Sequence, residues 1–182
     1  MIINIRHAAE ADISLLVQIS KQTFYDAFHD NNSSQESFEK YLAEAFTINK
    51  IRSEFEQPIS LFLLAENEDG KTVAYTKLRW DNRRDELMPS TNYIEVERIY
   101  VLKDYWRMGV GRFMMNEITD LARKRQYEYV CLSVYEENSS AIRFYEQLDF
   151  QAIGKVVFEL GDVIEYDILM IKNVTQTFLS GI

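Results

Sequence analysis

Two glycines flanking one valine, Gly109-Val110-Gly111, follow an extended segment from Tyr93 to Leu102 and a turn through Trp106-Arg107-Met108, and they open an apolar helical face. A strand that enters a helix through such a turn leaves several backbone N–H groups unpaired and converging, with the positive end of the helix dipole behind them. That combination suits a phosphate. Lacking Cβ atoms, the glycines let the backbone take positive φ and approach a ligand closely. The same pair would also serve a tight strand-to-helix turn with no ligand, so the phosphate must be argued from the rest of the chain. Cys131, the single cysteine, lies inside the apolar run Tyr129 to Val134 and reads as a small core residue rather than a nucleophile, because nothing near it resembles a base. One cysteine allows no intrachain disulfide and no cysteine-rich zinc site, and no metal is expected.

Positioning that loop takes strands and helices on both sides of it. Ile2 to Arg6 alternates as a first strand, and after Asp12 the spacing of Ile13, Leu15, Leu16, Ile19, Phe24 and Phe28 predicts an amphipathic helix. Its segment Thr23 to His29 is rich in aromatics; it is either core or, through Tyr25, Asp26 or His29, the lining of a substrate mouth. Asn31 to Ser34 breaks the pattern. Phe38, Tyr41, Leu42 and Ala45 mark a second helix, and Thr47 caps a third containing Ile51 and Phe55. Leu61 to Ala65 and Thr72 to Leu78 form a hairpin about Asn67-Glu68-Asp69-Gly70, and the polar run Asp81 to Asn92 is expected to be a mobile loop. Beyond the glycines, Met114, Ile118, Leu121 and Ala122 keep one helix face apolar, and Tyr129 to Val134 reads as a buried strand parallel to Tyr93–Leu102. A short helix follows Asn138, with Asp149 in a left-handed position after it. Ala152 to Leu160 and Val163 to Ile171 close the chain as a hairpin about Gly161-Asp162. A single domain over 1–173 with a tail over 174–182 is expected, in which Phe178 and Leu179 could dock on the body.

The 182 residues, 47% of them hydrophobic, suffice for one core without a staple. The charge, 20 − 29 = −9, offers no basic stripe for a nucleic-acid backbone and suits small cationic substrates or cationic peptides, although acidity also serves plain solubility. With neither a signal-peptide pattern nor a membrane-spanning apolar run, a cytoplasmic protein with no membrane partner is expected.

The element order, together with Glu97-Arg98-Ile99-Tyr100-Val101, Met108-Gly109-Val110-Gly111 and Asn138-Ser139-Ser140-Ala141-Ile142-Arg143-Phe144-Tyr145-Glu146 followed by Phe150, resembles the Gcn5-related N-acetyltransferases. The family's loop is written Gln/Arg-x-x-Gly-x-Gly/Ala; both glycines match, but Trp106 takes the first position. The implied fold is α/β: a mostly antiparallel sheet with a parallel, splayed strand–helix–strand core and helices on both faces. Thr23 to Phe28, Tyr41 to Phe46 and Glu97 to Val101 look like the bacterial PaiA-type enzymes, which act on spermidine, spermine and related polyamines.

The resemblance implies transfer of an acetyl group from acetyl-CoA to an amine. An alkylammonium has a pKa of about 10 and must lose a proton before it attacks. Glu97 is then the base, directly or through water, with Glu95 as same-face neighbour; for either, an ordinary strand ion pair, for instance with Arg98, is the competing role. Tyr145 matches the tyrosine that protonates the departing thiolate, or else is an aromatic core residue. The amides of Met108, Gly109, Val110, Gly111 and Arg112 take the pyrophosphate, with Arg107 and Arg112 available for charge pairing. Ile99 and Val101, with Tyr100 between them, meet the pantetheine arm through their backbone and supply an oxyanion donor. Asn138 and Phe144 complete the coenzyme-binding set, Asn138 in competition with its capping role. A small cationic amine is the expected partner; a protein lysine or N-terminal amine is the alternative, as is a coenzyme-binding regulatory module without turnover. Dimers are common in the resembled family, so a homodimer is an expected assembly.

Overall fold

The computed structural model describes residues 2–29, 35–80, 86–160 and 163–175. The Asn31–Ser34 break, positions 81–85 of the expected mobile loop, the Gly161-Asp162 turn, and Phe178 and Leu179 lie outside them. β1 (Asn4–His7) leads through a short 3-10 turn into α1 (Ile13–Phe28), α2 (Gln35–Ala45) and α3 (Ile48–Phe55). β2 (Ser60–Glu66) and β3 (Thr72–Arg79) form the hairpin, then β4 (Tyr93–Val101), α4 (Val110–Lys124), β5 (Tyr129–Tyr135), α5 (Ser139–Glu146), β6 (Gln151–Leu160) and β7 (Val163–Asn173) follow. The strands make one sheet in the order β1-β2-β3-β4-β5-β7-β6. Among the described strands only the β4–β5 pair is parallel, joined by the α4 crossover.

Alternation along the central strands sends side chains to two cores. Leu63, Leu78, Ile94, Val96, Val130 and Leu132 pack with Met115 and Ile118 of α4, whereas Phe62, Leu64 and Tyr75 pack with Leu16, Ile19 and Phe24 of α1, Phe38 of α2 and Ile51 of α3. Apolar surface on both sheet faces is therefore removed from water, which is the dominant stabilising term. Thr47 caps α3 by accepting from the Lys50 N–H at 3.2 Å, and Asp149 takes the expected left-handed conformation at φ 67°. Asp12 does not cap α1 with its side chain; its carboxylate instead receives the Ala9 N–H and two Arg6 guanidinium bonds, clamping β1 to the helix start.

Two boundaries differ from expectation. Gly111 lies inside α4, which begins at Val110. At the other end, β7 runs to Asn173, and Val174 is buried in the α4-side core, with its N–H donating to the Glu128 carbonyl at 2.9 Å.

Candidate active site

The site is made by two strands that part. β4 and β5 pair from Tyr93↔Tyr129 to Val96↔Leu132; beyond that, β4 continues to Val101 along β3, and β5 continues to Tyr135 along β7. The edge of β4 past Val96 is left facing the gap. Leu102 donates its N–H to Val73 of β3 at 2.9 Å, so the alternation of an antiparallel ladder turns the N–H and C=O of Val101 and of Ile99 toward the gap. Such an edge accepts an extended ligand as an added strand.

A bulge then decides which side chains reach which face. Lys77 pairs with Arg98 but Leu78 pairs with Val96, so Glu97 is the extra residue of β4. Strict alternation would place Glu97 with Ile99 and Val101; the bulge instead puts it on the helix-covered face with Glu95 and Arg98. There it enters an ion cluster. Glu97 Oε1 lies 2.8 Å from Lys77 Nζ and 3.5 Å from Arg98 Nη2, and its Oε2 lies 3.0 Å from Arg79 Nη1. Glu54 of α3 grips Arg98 with two bonds of 2.7 and 2.9 Å and sits 3.1 Å from Lys77, while Arg79 pairs with Glu95 at 2.9 Å. Among the described residues, three carboxylates, Glu54, Glu95 and Glu97, thus meet three cations, Lys77, Arg79 and Arg98. The ion-pair role weighed for Glu97 is thus realised, with Lys77 and Arg79 as nearer partners than Arg98. Burial pulls the Lys77 pKa down, against Glu97 and Glu54, which raise it.

α4 supplies the second part. Gly109 is its N-cap at φ 86°, and Arg107 is also left-handed at φ 61°. The first main-chain bond of the helix runs from the Phe113 N–H to the Gly109 carbonyl, so the N–H groups of Val110, Gly111 and Arg112 have no partner within the helix. The two glycines do different work. At Gly109 nothing crowds a would-be Cβ, and the requirement is its backbone conformation; at Gly111 a Cβ would stand 3.5 Å from Phe144 Cζ and 3.9 Å from Val101 Cγ2, in ordinary contact. Gly111 therefore marks where the helix start meets β4 and α5. Met108 is exposed and Arg112 approaches Gln147, the C-cap of α5, at 3.5 Å. Replacing Gly109 with Val forces a β-branched residue into the left-handed region, at a cost of at least about 1–2 kcal/mol. The expected result is an acetyl-CoA Kd raised about tenfold or more, measured by calorimetry.

From α5, Asn138 accepts the Ala141 N–H at 3.0 Å through its side-chain oxygen. Its capping role is therefore real, and it leaves the carboxamide N–H groups for a ligand. Tyr145 packs edge-on against Phe144 and Phe150, with ring centroids 5.2 and 5.9 Å away, and burial pushes its phenol up to about 12. It lies close enough to Tyr100 of β4 to help raise that phenol as well, after burial, Tyr75 and Tyr41. Tyr100, Phe28 and Tyr41 in turn surround Phe24. The aromatic stretch of α1 is thus mostly core. Tyr25 is its exception: its ring lies tilted against His29, centroids 4.3 Å apart, and lines a groove of about 520 Å³ with Lys21, Gln22 and Glu39, to which neither Glu97 nor Tyr145 contributes.

The cluster around Glu97 is only partly legible in the sequence. Lys77, Arg79 and Glu54 carried no motif; the signal available was two cations inside an otherwise apolar central strand. Among the described residues no group of three or more His, Cys, Asp or Glu could hold a metal, and no helix is long and apolar enough to cross a membrane.

A turn at a helix start that presents free amides, beside an open strand edge, fits a ligand with a pyrophosphate and an amide-bearing arm. Residues 21–150 match the model of the acetyltransferase (GNAT) family. The chain is 30% identical over 170 residues to an N-acetyltransferase from the pepI 3' region of Lactobacillus delbrueckii subsp. lactis, covering 93% of this chain and 96% of that one. Its fold is similar to that of the PaiA N-acetyltransferase from Thermoplasma acidophilum in complex with coenzyme A, at TM-score 0.72 and 20% identity, covering 95% and 99% of the two chains. It is likewise similar to the ribosomal-protein-S18-alanine N-acetyltransferase from Escherichia coli, at TM-score 0.66 and 18% identity, covering 100% and 99%. The parted β4–β5 strands, the glycine turn and these likenesses agree: the chain belongs to the GNAT acetyltransferase family and is an N-acetyltransferase that uses acetyl-CoA as its acetyl donor.

Proposed function

We propose that the acceptor is a small cationic amine, of which a polyamine such as spermidine or spermine suits the chain best. The observation that carries this is the set of carboxylates beside Tyr41 and Tyr135, which come from β7 and from the segment that follows β5. Burial raises the Tyr41 phenol, with Arg98 opposing and Glu54, Glu97 and Asp167 of β7 adding to it, and Tyr135 is pushed up to about 12 by burial, then by Glu165 of β7 and by Glu137 and Glu136, of which Glu136 also pairs with Lys155. Aromatic rings interleaved with carboxylates attract ammonium groups by Coulomb and cation–π forces. The likeness to a PaiA enzyme supports the same acceptor.

In this reading the amides of Met108 to Arg112 hold the pyrophosphate, with Arg107 and Arg112 at its rim. Ile99 and Val101 pair with the pantetheine arm, Tyr100 backing them from the other face, and Asn138 and Phe144 flank the arm from α5. Glu97 works through a water, because both its oxygens already face cations, and Tyr145 donates to the departing thiolate. Bound acetyl-CoA supplies the activated acetyl group. A cytoplasmic location accompanies the reading, and so does a homodimer.

The likeness to the S18-alanine enzyme favours a peptide N-terminus as the second candidate. Following thiol release from acetyl-CoA with spermidine, spermine, simple monoamines and an alanine-ended peptide separates the two. Polyamines are expected to give a kcat/KM at least about tenfold above the monoamines and the peptide. A preference for the peptide would replace the proposed acceptor.

A further inference from the structure

We propose that Trp106 is a positioning residue of the coenzyme site, holding the glycine turn at a fixed distance from the open edge of β4. Its indole N–H donates to the Val101 carbonyl at 2.7 Å. That carbonyl lies on the gap side of β4, beside the groups of Ile99, because the Leu102 N–H is turned the other way onto Val73. One acceptor of the open edge is therefore filled by the protein itself. The N–H and C=O of Ile99 and the N–H of Val101 remain for a ligand.

The bond also spans the two halves of the site. Trp106 precedes Arg107 and Gly109, whose positive φ values shape the turn, and Val101 is touched from both directions. The indole holds its carbonyl, and Gly111 of the first α4 turn lies against its side chain. A ligand that engages only the strand edge does not feel this spacing. One that must engage the edge and the helix start together does. Trp106 is 42% exposed, so its ring has no deep core packing to explain its presence, and the hydrogen bond is what fixes it.

The proposal rests on the pyrophosphate being held at the glycine turn. Acetyl-CoA and S-acetylpantetheine differ in whether that group is present, so calorimetric titration of wild type and Trp106→Phe with both donors is the test. In the variant, loss of the bond is expected to raise the acetyl-CoA Kd about tenfold and the S-acetylpantetheine Kd less than about twofold. An unchanged ratio of the two, whether both weaken or neither does, overturns the positioning role. If wild type binds both donors equally, the pyrophosphate site itself fails and the proposal fails with it. A second measurement does not depend on that variant folding. Trp80→Phe leaves Trp106 as the only indole, and its emission is expected to change on titration with acetyl-CoA and with inorganic pyrophosphate. Unaltered emission at saturating acetyl-CoA also overturns the assignment.

Discussion

Replacing Tyr145 with Phe is expected to lower kcat about a hundredfold while acetyl-CoA binds as before. The substitution removes one hydroxyl and keeps the ring against Phe144 and Phe150, so folding and coenzyme contacts are retained. What is lost is the proton donor proposed for the departing thiolate, and a positioned acid typically contributes 10²-fold or more, about 2.7 kcal/mol. Burial that holds the phenol near 12 has a definite consequence for pH. The group is protonated throughout the neutral range, so the ratio of wild-type to variant kcat should stay flat from about pH 6 to 9. Such a phenol is also a weaker acid than a thiol, and it therefore stabilises the growing charge by hydrogen bonding more than by complete proton transfer. Thiol release followed across that range checks both statements. An unchanged kcat would mean that the thiolate takes its proton elsewhere; a ratio that collapses by pH 9 would mean that the phenol titrates lower than its burial implies.

Most of the architecture was legible because it is written in local periodicity. Ile13 to Phe28 repeats at helical spacing, Tyr129 to Val134 is continuously apolar as a strand buried on both faces must be, and Thr47, Asn138 and Asp149 sit where capping and left-handed backbone favour them. The glycine turn was legible for the same reason, although Gly109 and Gly111 serve different purposes that spacing cannot separate. What periodicity could not show is where it fails. The bulge at Glu97 shifts the facing of β4 by one residue, and a sequence gives no sign of a register shift that depends on the neighbouring strand. Lys77 lies 20 residues from Glu97, on β3, and Glu54 is 44 residues from Arg98, so their meeting is a product of the fold. The same holds for Trp106. Its place in the loop departed from the family pattern on paper, and only the reach of its indole to Val101 gave that departure a physical meaning.

The ion cluster carries the other large effect. Glu54 is 5% exposed and Lys77 is 2% exposed, so neither charge is hydrated, and each depends on its partners for compensation. Changing Glu54 to Gln removes the carboxylate that meets both Arg98 and Lys77 and leaves their positive charges less compensated beneath the sheet. Breaking a buried pair by deleting one partner costs about 3–5 kcal/mol, and a loss of that size in urea unfolding is expected. It should appear as a lower midpoint with an unchanged slope, since the surface exposed on unfolding is the same. The effect has a pH signature. Burial raises the Glu54 pKa, but its bonds to Arg98 and the charges of Arg98 and Lys77 outweigh burial and hold it below the ordinary value of 4.5. A carboxylate depressed in the folded state stabilises fully above its unfolded pKa and loses that contribution as pH falls through its folded one. The gap in stability between wild type and Glu54→Gln should therefore be constant at neutral pH and shrink as pH drops below about 4.5. The variant should also turn over more slowly, because Lys77, released by Glu54, is left to draw on Glu97 alone. Equal midpoints at pH 7 would show that the cluster is held by the fold rather than holding it.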